Sequence, residues 1–478
     1  MKILAGYEPK EPLSFFEELC AIPHGSANTK AISDYCVKFA EDRKLACIQD
    51  ADNNVIITKE ATAGYEEKDT IIIQGHLDMV CEKVAGSDFD FMTDGLILEV
   101  NDGWISAKGT TLGGDDGIAI AIALAILDSK DIPHPKIEAV FTVDEETGLL
   151  GAKSIDLSSL TGHKLINIDA EDDSQIITSC AGATFLECHI PVEYVKAQGI
   201  EYIIELKGLL GGHSGAEIHK GRGSSNILMG RTLNYLKDFV EISDVRGGNA
   251  DNVIPNYTTA VVVVQKENET AMLEKLAQIE ADMKEEYIIT DPGLCIVATS
   301  KGDTEIEIMD AKGKVALLNA LMNLPNGIQA MSSSIPGLVE TSTNMGVFVI
   351  KDGVMTLNYN VRSSIESAKR YLADRTIAMV EALGGTVDEH GDYPGWAYRI
   401  DSSLRDTVVK VYTKINGKEP EVGAIHAGLE CGLFTKKIDD LDCVSIGPNL
   451  IDIHSVNERM EIASVERTWK LVLGVLAD

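Results

Sequence analysis

Five stretches of this chain end in side chains that bind metal ions: Thr-Ile-Ile-Ile-Gln-Gly-His76-Leu-Asp78, Leu-Gly-Gly-Asp115-Asp116-Gly, Val-Phe-Thr-Val-Asp144-Glu145-Glu146-Thr-Gly, Lys-Leu-Ile-Asn-Ile-Asp169 and, far downstream, Leu-Ile-Asp-Ile-His454-Ser. Two imidazoles with several carboxylates make up the donor chemistry of zinc or a similar divalent ion. Short β-rich runs bounded by Gly or polar residues read as buried strands of a parallel sheet. In open α/β sheets, ligands collect beyond the carboxyl ends of such strands. A single Asp or Glu is usually a solvated surface charge, and a lone His is usually a hydrogen-bonded structural residue. The repeated placement after apolar runs points instead to a metallohydrolase.

Spacing suggests how the work divides. Neighbours along a strand point to opposite faces, so Glu145 and Glu146 should take different jobs, one binding metal and the other serving as general base. Asp78, two residues past His76, points the same way and can hold the second imidazole N–H. Two metals need a bridge, which either Asp115 or Asp116 in the Gly-rich turn could supply. Water polarised by such ions becomes a nucleophile at neutral pH.

The elements that must position these residues fall into three stretches. Residues 1–182 alternate helix patterns (PLSFFEEL, AISDYCVKFAEDRKL, GIAIAIALAILDS) with strand patterns (VIITKE, TIIIQGHLDMV, KIEAVFTVD, KLINID). From 183 to 395 the strands, such as TFLECHIPVEY, TTAVVVVQ and GVMTLNYNVRSS, alternate apolar and polar residues as antiparallel strands do. Four amphipathic helices interleave with them, suggesting two similar halves. Residues 396–478 return to the first style and carry His454. The expected fold class is therefore α/β: a catalytic domain with a mostly parallel sheet flanked by helices, built from 1–182 and 396–478. An α+β lid, 183–395, is inserted at two crossings that would act as hinges.

Composition narrows the partners. The 478 residues carry 42 basic and 75 acidic side chains, a formal charge of −33. That excludes nucleic acid and anionic membrane as natural partners, because both would be repelled. Nine scattered cysteines without a C-x-x-C pair read as thiols in a reducing compartment. The N-terminal stretch shows no apolar core of a secretion signal, and no run reaches the ~18 apolar residues of a membrane span. A cytoplasmic location is expected.

Taken together, the motifs G-H-x-D, G-G-D-D-G and D-E-E-x-G, the later strand-end Asp169 and the final His454 resemble the dinuclear zinc exopeptidases and deacylases that include aminoacylase, carboxypeptidase G and the tripeptidases. The resemblance spans essentially the whole chain. Gly-Gly-His213-Ser-Gly, Arg-Gly-Gly-Asn249-Ala-Asp-Asn252-Val-Ile-Pro255 and Ile-His426-Ala-Gly-Leu-Glu430-Cys-Gly look like its bacterial aminoacyl-histidine dipeptidase branch. The resemblance implies two divalent ions, zinc first, with manganese and cobalt also accepted by such ligands. It implies His76 and Asp169 on one ion, Glu146 and His454 on the other, Asp115 between them, Glu145 as general base and Asp78 orienting His76. It also implies a cis bond at Asp115–Asp116, His213 as an oxyanion donor, and Arg362, Asn252 and Glu430 as substrate-binding residues. The expected activity is hydrolysis of unblocked dipeptides, Xaa-His and β-alanyl-histidine included. N-acyl amino acid deacylation, tripeptide cleavage and a non-catalytic binder are the rivals. Whether His213 serves its own chain or a partner across a lid-mediated homodimer is open at this level.

Overall fold

The computed structural model describes residues 2–478. They form two compact units, one holding the chain up to Cys180 with Trp396–Ala424 and Leu429–Asp478, the other Ala181–Gly395 with Ile425–Gly428. The short Ile425–Gly428 return raises the two expected crossings to four, at 180/181, 395/396, 424/425 and 428/429.

The first unit is built on an eight-stranded mixed sheet. Its order is Ala46–Gln49, Val55–Lys59, Ile137–Thr142, Ile71–His76, Lys164–Asn167, Asp442–Ser445, Gln175–Cys180 and Glu421–Ile425. Ile71–His76 runs parallel to Ile137–Thr142 and to Lys164–Asn167, and Asp442–Ser445 runs parallel to Lys164–Asn167. Antiparallel strands lie outside these four. The parallel strands are buried along almost their whole length, as strands covered on both faces must be. Register sets His76 opposite Thr142 and Gln74 opposite Asn167. The strand ends that precede Asp78, Glu145 and Asp169 therefore share one edge.

Beside this sheet, the helix Gly114–Asp128 is apolar on all sides and almost entirely buried, which marks a core helix rather than a surface one. The Phe16 ring would lie 3.3 Å from a Cβ at Gly117, so glycine there lets the helix Lys10–Cys20 approach closely. Gly75 answers a similar need inside a strand, since a Cβ there would come within 2.5 Å of the Asp116 carboxylate.

Two motifs depart from the strand-end rule. Leu450–Ile451, ahead of His454, is not in the central sheet. It edges a small antiparallel sheet with Arg459–Glu461, Trp104–Ala107 and Leu98–Asn101. The Gly-Gly-Asp-Asp turn leads into the buried helix from a loop.

The second unit is a nine-stranded antiparallel sheet with four helices, Ser225–Leu236, Glu269–Glu286, Ala311–Asn323 and Glu366–Ala382. Its two halves join where Val240–Gly247 pairs with Val339–Lys351.

Candidate active site

In the first unit the parallel strand edge, the Gly-rich turn and the loop after Ile451 bring the expected donors together. Asp115 lies at the centre. Its Oδ1 is 3.1 Å from His76 Nε2 and its Oδ2 is 3.3 Å from His454 Nε2. His454 Nε2 is also 3.0 Å from Glu146 Oε1, and His76 Nε2 is 3.8 Å from Asp169 Oδ1. Three overlapping sets, His76–Asp116–Asp169, His76–Glu145–Glu146 and Asp115–Glu146–His454, each have donor atoms within 4.8 Å of one another. The Asp115–Asp116 bond is cis, as the resemblance implies.

Charge shows what this cluster fits. Burial pushes the Asp169 and Asp116 carboxyls well above their ordinary range, and neighbouring carboxylates reinforce the shift. Burial also raises Glu145, with His76 opposing and Glu430, Glu146 and Asp115 adding to it. Hydrogen bonds that His454 donates to the Asp115 and Glu146 carboxylates lift it to about 10. Acceptors this crowded hold protons unless another cation takes their place, and metal ligands bind by giving those protons up. A pair of divalent ions fits the donor set.

Asp78 acts differently from the expected pattern. His76 Nδ1 lies 2.9 Å from the Asp78 main-chain carbonyl and 3.5 Å from its carboxylate. The carboxylate is turned elsewhere, accepting from the Ser26 hydroxyl at 2.8 Å and from the N–H groups of Glu145 and Glu146 at 3.0 and 3.4 Å. It thus fixes the acidic turn as well as the imidazole. Strand alternation does not separate Glu145 from Glu146. The strand ends at Thr142, and both Glu residues lie beyond it, after Asp144 with its positive φ of 52°. The turn brings a donor atom of each within 4.8 Å of the other and of His76.

Glu430 lies inside the first unit's sheet. It is fully buried, and its Oε2 accepts from Gln74 Nε2 at 2.5 Å and Thr142 Oγ1 at 2.7 Å. Asn167 Nδ2 donates to Gln74 Oε1 at 2.7 Å, completing a polar layer inside the sheet. Glu430 therefore braces the strands from within the sheet. The signal for this layer lay in the sequence as polar residues interrupting apolar runs: Gln74 in IIIQG, Thr142 in VFTV and Asn167 in LINI. Ser26 gave no comparable sign.

In the second unit, His213 and Val253 pair across two short strands, and the Asn252 carbonyl accepts from Ser214 N at 2.8 Å. His213 Nδ1 accepts from the N–H groups of Gly215 and Ala216 at 3.2 and 2.9 Å. Those bonds assign the proton to Nε2 and leave that nitrogen as a donor. Burial, then the Arg362 charge, holds His213 below its ordinary value, so it stays neutral. Arg362 is itself buried; its Nη1 is 3.3 Å from the Tyr393 hydroxyl and its Nε has no partner. His426 Nε2 lies 2.7 Å from Ser342 Oγ in the same unit.

An α/β sheet with a carboxylate-bridged imidazole pair at its parallel edge defines a metallopeptidase-type hydrolase. A family description, peptidase family M20/M25/M40, matches residues 72–478, and the chain belongs to that family. It is similar to the cytosol non-specific dipeptidase of Escherichia coli K12, 33% identical over 482 aligned residues, covering 100% of this chain and 99% of that one. The crystal structure of the aminoacylhistidine dipeptidase from Vibrio alginolyticus matches with a TM-score of 0.94 and 33% identity, covering 99% of this chain and 97% of that one. The aminopeptidase PepT from Bacillus cereus shares the fold at a TM-score of 0.56 and 16% identity, covering 98% of each chain. Among the described residues no helix is long and apolar enough to cross a membrane.

One pH effect follows for the second unit. Burial, with Arg362 and His213 acting in the same direction, takes His426 from the ordinary 6.5 down to about 3. The unfolded chain then gains a proton that the folded chain refuses, so this residue's contribution is complete above pH 6.5 and is lost as pH falls towards 3. The stability gap between the wild type and His426→Gln, read from urea midpoints, should shrink between pH 7 and pH ~4.5. A gap that does not change with pH would mean that His426 is not held neutral.

Proposed function

We propose that this chain is a zinc-dependent cytoplasmic dipeptidase that hydrolyses unblocked dipeptides, Xaa-His and β-alanyl-histidine among them. The full-length similarity to two dipeptidases supports the reaction. The observation that carries the mechanism is Asp115, set between His76 and His454 with Glu145 and Glu146 alongside.

In this reading His76 and Asp169 would hold one ion and Glu146 and His454 the other, and Asp115 would serve both. When bound, such ions supply Lewis-acid polarisation of the scissile carbonyl and a lowered water pKa. Glu145 takes a proton from the attacking water as its oxygen bonds to the carbonyl carbon. It passes that proton to the departing amine nitrogen as the C–N bond breaks. Asp78 keeps Glu145 in place through the N–H groups of its turn. His213 offers Nε2–H to the carbonyl oxygen as negative charge builds there, and Arg362, with Asn252, takes the substrate's terminal carboxylate.

Glu145→Gln should lower kcat by ~10²–10⁴ while leaving metal content nearly intact. Activity within a few-fold of wild type would remove Glu145 from the mechanism. Free dipeptides should be cleaved in preference to N-acetylated amino acids and tripeptides, and a reversed preference would overturn the substrate assignment. Arg362→Ala should raise KM for free dipeptides far more than for C-terminally amidated analogues, which lack the carboxylate. Equal losses on both would place Arg362 in folding instead.

A further inference from the structure

Glu458 lies four residues past His454, on the other side of the loop that carries that imidazole. Its side chain is buried at 3% exposure. Its carboxylate reaches the Gly-rich turn and accepts from four consecutive backbone N–H groups: Leu112 at 2.7 Å, Gly113 at 3.2 Å, Gly114 at 2.9 Å and Asp115 at 3.4 Å. The backbone is still non-helical at Asp115 and Asp116, so these amides need partners other than intrahelical carbonyls. Glu458 therefore holds this turn from more than three hundred residues away.

The turn is shaped for that grip. Gly113 takes a positive φ of 67°, and a Cβ there would come within 2.9 Å of Met79 Sδ. A Cβ at Gly114 would meet Leu450 at 2.7 Å. Only bare backbone lets the four amides converge on one carboxylate. That carboxylate joins the segment bearing Asp115 to the segment bearing His454, two groups only 3.3 Å apart. No sheet ladder does this, because His454 follows a two-residue strand outside the central sheet.

We infer that Glu458 is a positioning residue: it sets the separation of the Asp115 carboxylate from the His454 imidazole, and so tunes the affinity for the ion they share. The inference rests on the reading that these two residues hold an ion. A simple brace on the turn would contribute stability alone, whereas a positioning residue changes ion affinity in folded protein.

Zinc affinity of the full-length chain, measured by competition with a chromophoric chelator, separates the two. Glu458→Gln should bind one of two zinc ions ~10–100-fold more weakly, the usual cost of losing a group that orients a ligand. The other ion should be held almost as tightly as in the wild type. At limiting zinc kcat should fall with KM little changed, and added zinc should restore part of it. Glu458→Asp keeps the charge but shortens the reach, so it should show a smaller loss at the same ion and serves if the Gln variant misfolds. Wild-type affinity for both ions in either folded variant, with only a lowered melting temperature, would overturn the inference. A wild type that binds fewer than two ions would instead sink the underlying metal assignment.

Discussion

Everything in the first unit turns on keeping one carboxylate, that of Asp115, between two imidazoles 3.1 and 3.3 Å away. The three residues come from three places: a strand of the central sheet, a Gly-rich turn and a loop of a small peripheral sheet. Parallel pairing fixes His76 relative to Glu145 and Asp169. The apolar helix behind the turn fixes Asp115, because it is buried all round and cannot slide without opening the core. Gly75, with Asp116 filling the space where its side chain would be, closes the remaining gap.

Such a cluster is costly to assemble. Burial raises several of its carboxyls, and the imidazoles offset only part of the repulsion. The protein stabilises it with backbone and polar groups that do no chemistry: Asp78 on the acidic turn, Glu430 with Gln74 and Thr142 beneath the strands, and Glu458 on the Gly-rich turn. Three of the buried carboxylates thus serve as braces for their neighbours. This follows from the general need of a buried charge for several hydrogen-bond donors.

Much of this was legible in the residues. The apolar runs before His76, Glu145 and Asp169 are central strands, and the family motifs find their counterpart in the assembled donor sets. The failures have physical causes. Period-two alternation stops at a strand's end, so it could not describe Glu145 and Glu146, which lie in a turn. Hydrophobicity before His454 belongs to a small edge sheet, and short runs do not reveal which sheet they join. Glu430 sits in a motif beside His426, but the chain changes units between them: one braces the first unit and the other belongs to the second. The Ile425–Gly428 return carries no change in composition that could have marked it. The grip of Glu458 was invisible because its partners are main-chain amides, which every sequence has.

The most direct measurement of the shared-carboxylate account is zinc stoichiometry by elemental analysis of wild type, Asp115→Ala and His454→Ala chains after identical dialysis. Two ions should remain on the wild type, one on His454→Ala and close to none on Asp115→Ala, because the Asp115 carboxylate lies 3.1 and 3.3 Å from the two imidazoles. An Asp115→Ala chain that is folded and keeps both ions, or loses no more than His454→Ala does, would contradict the account.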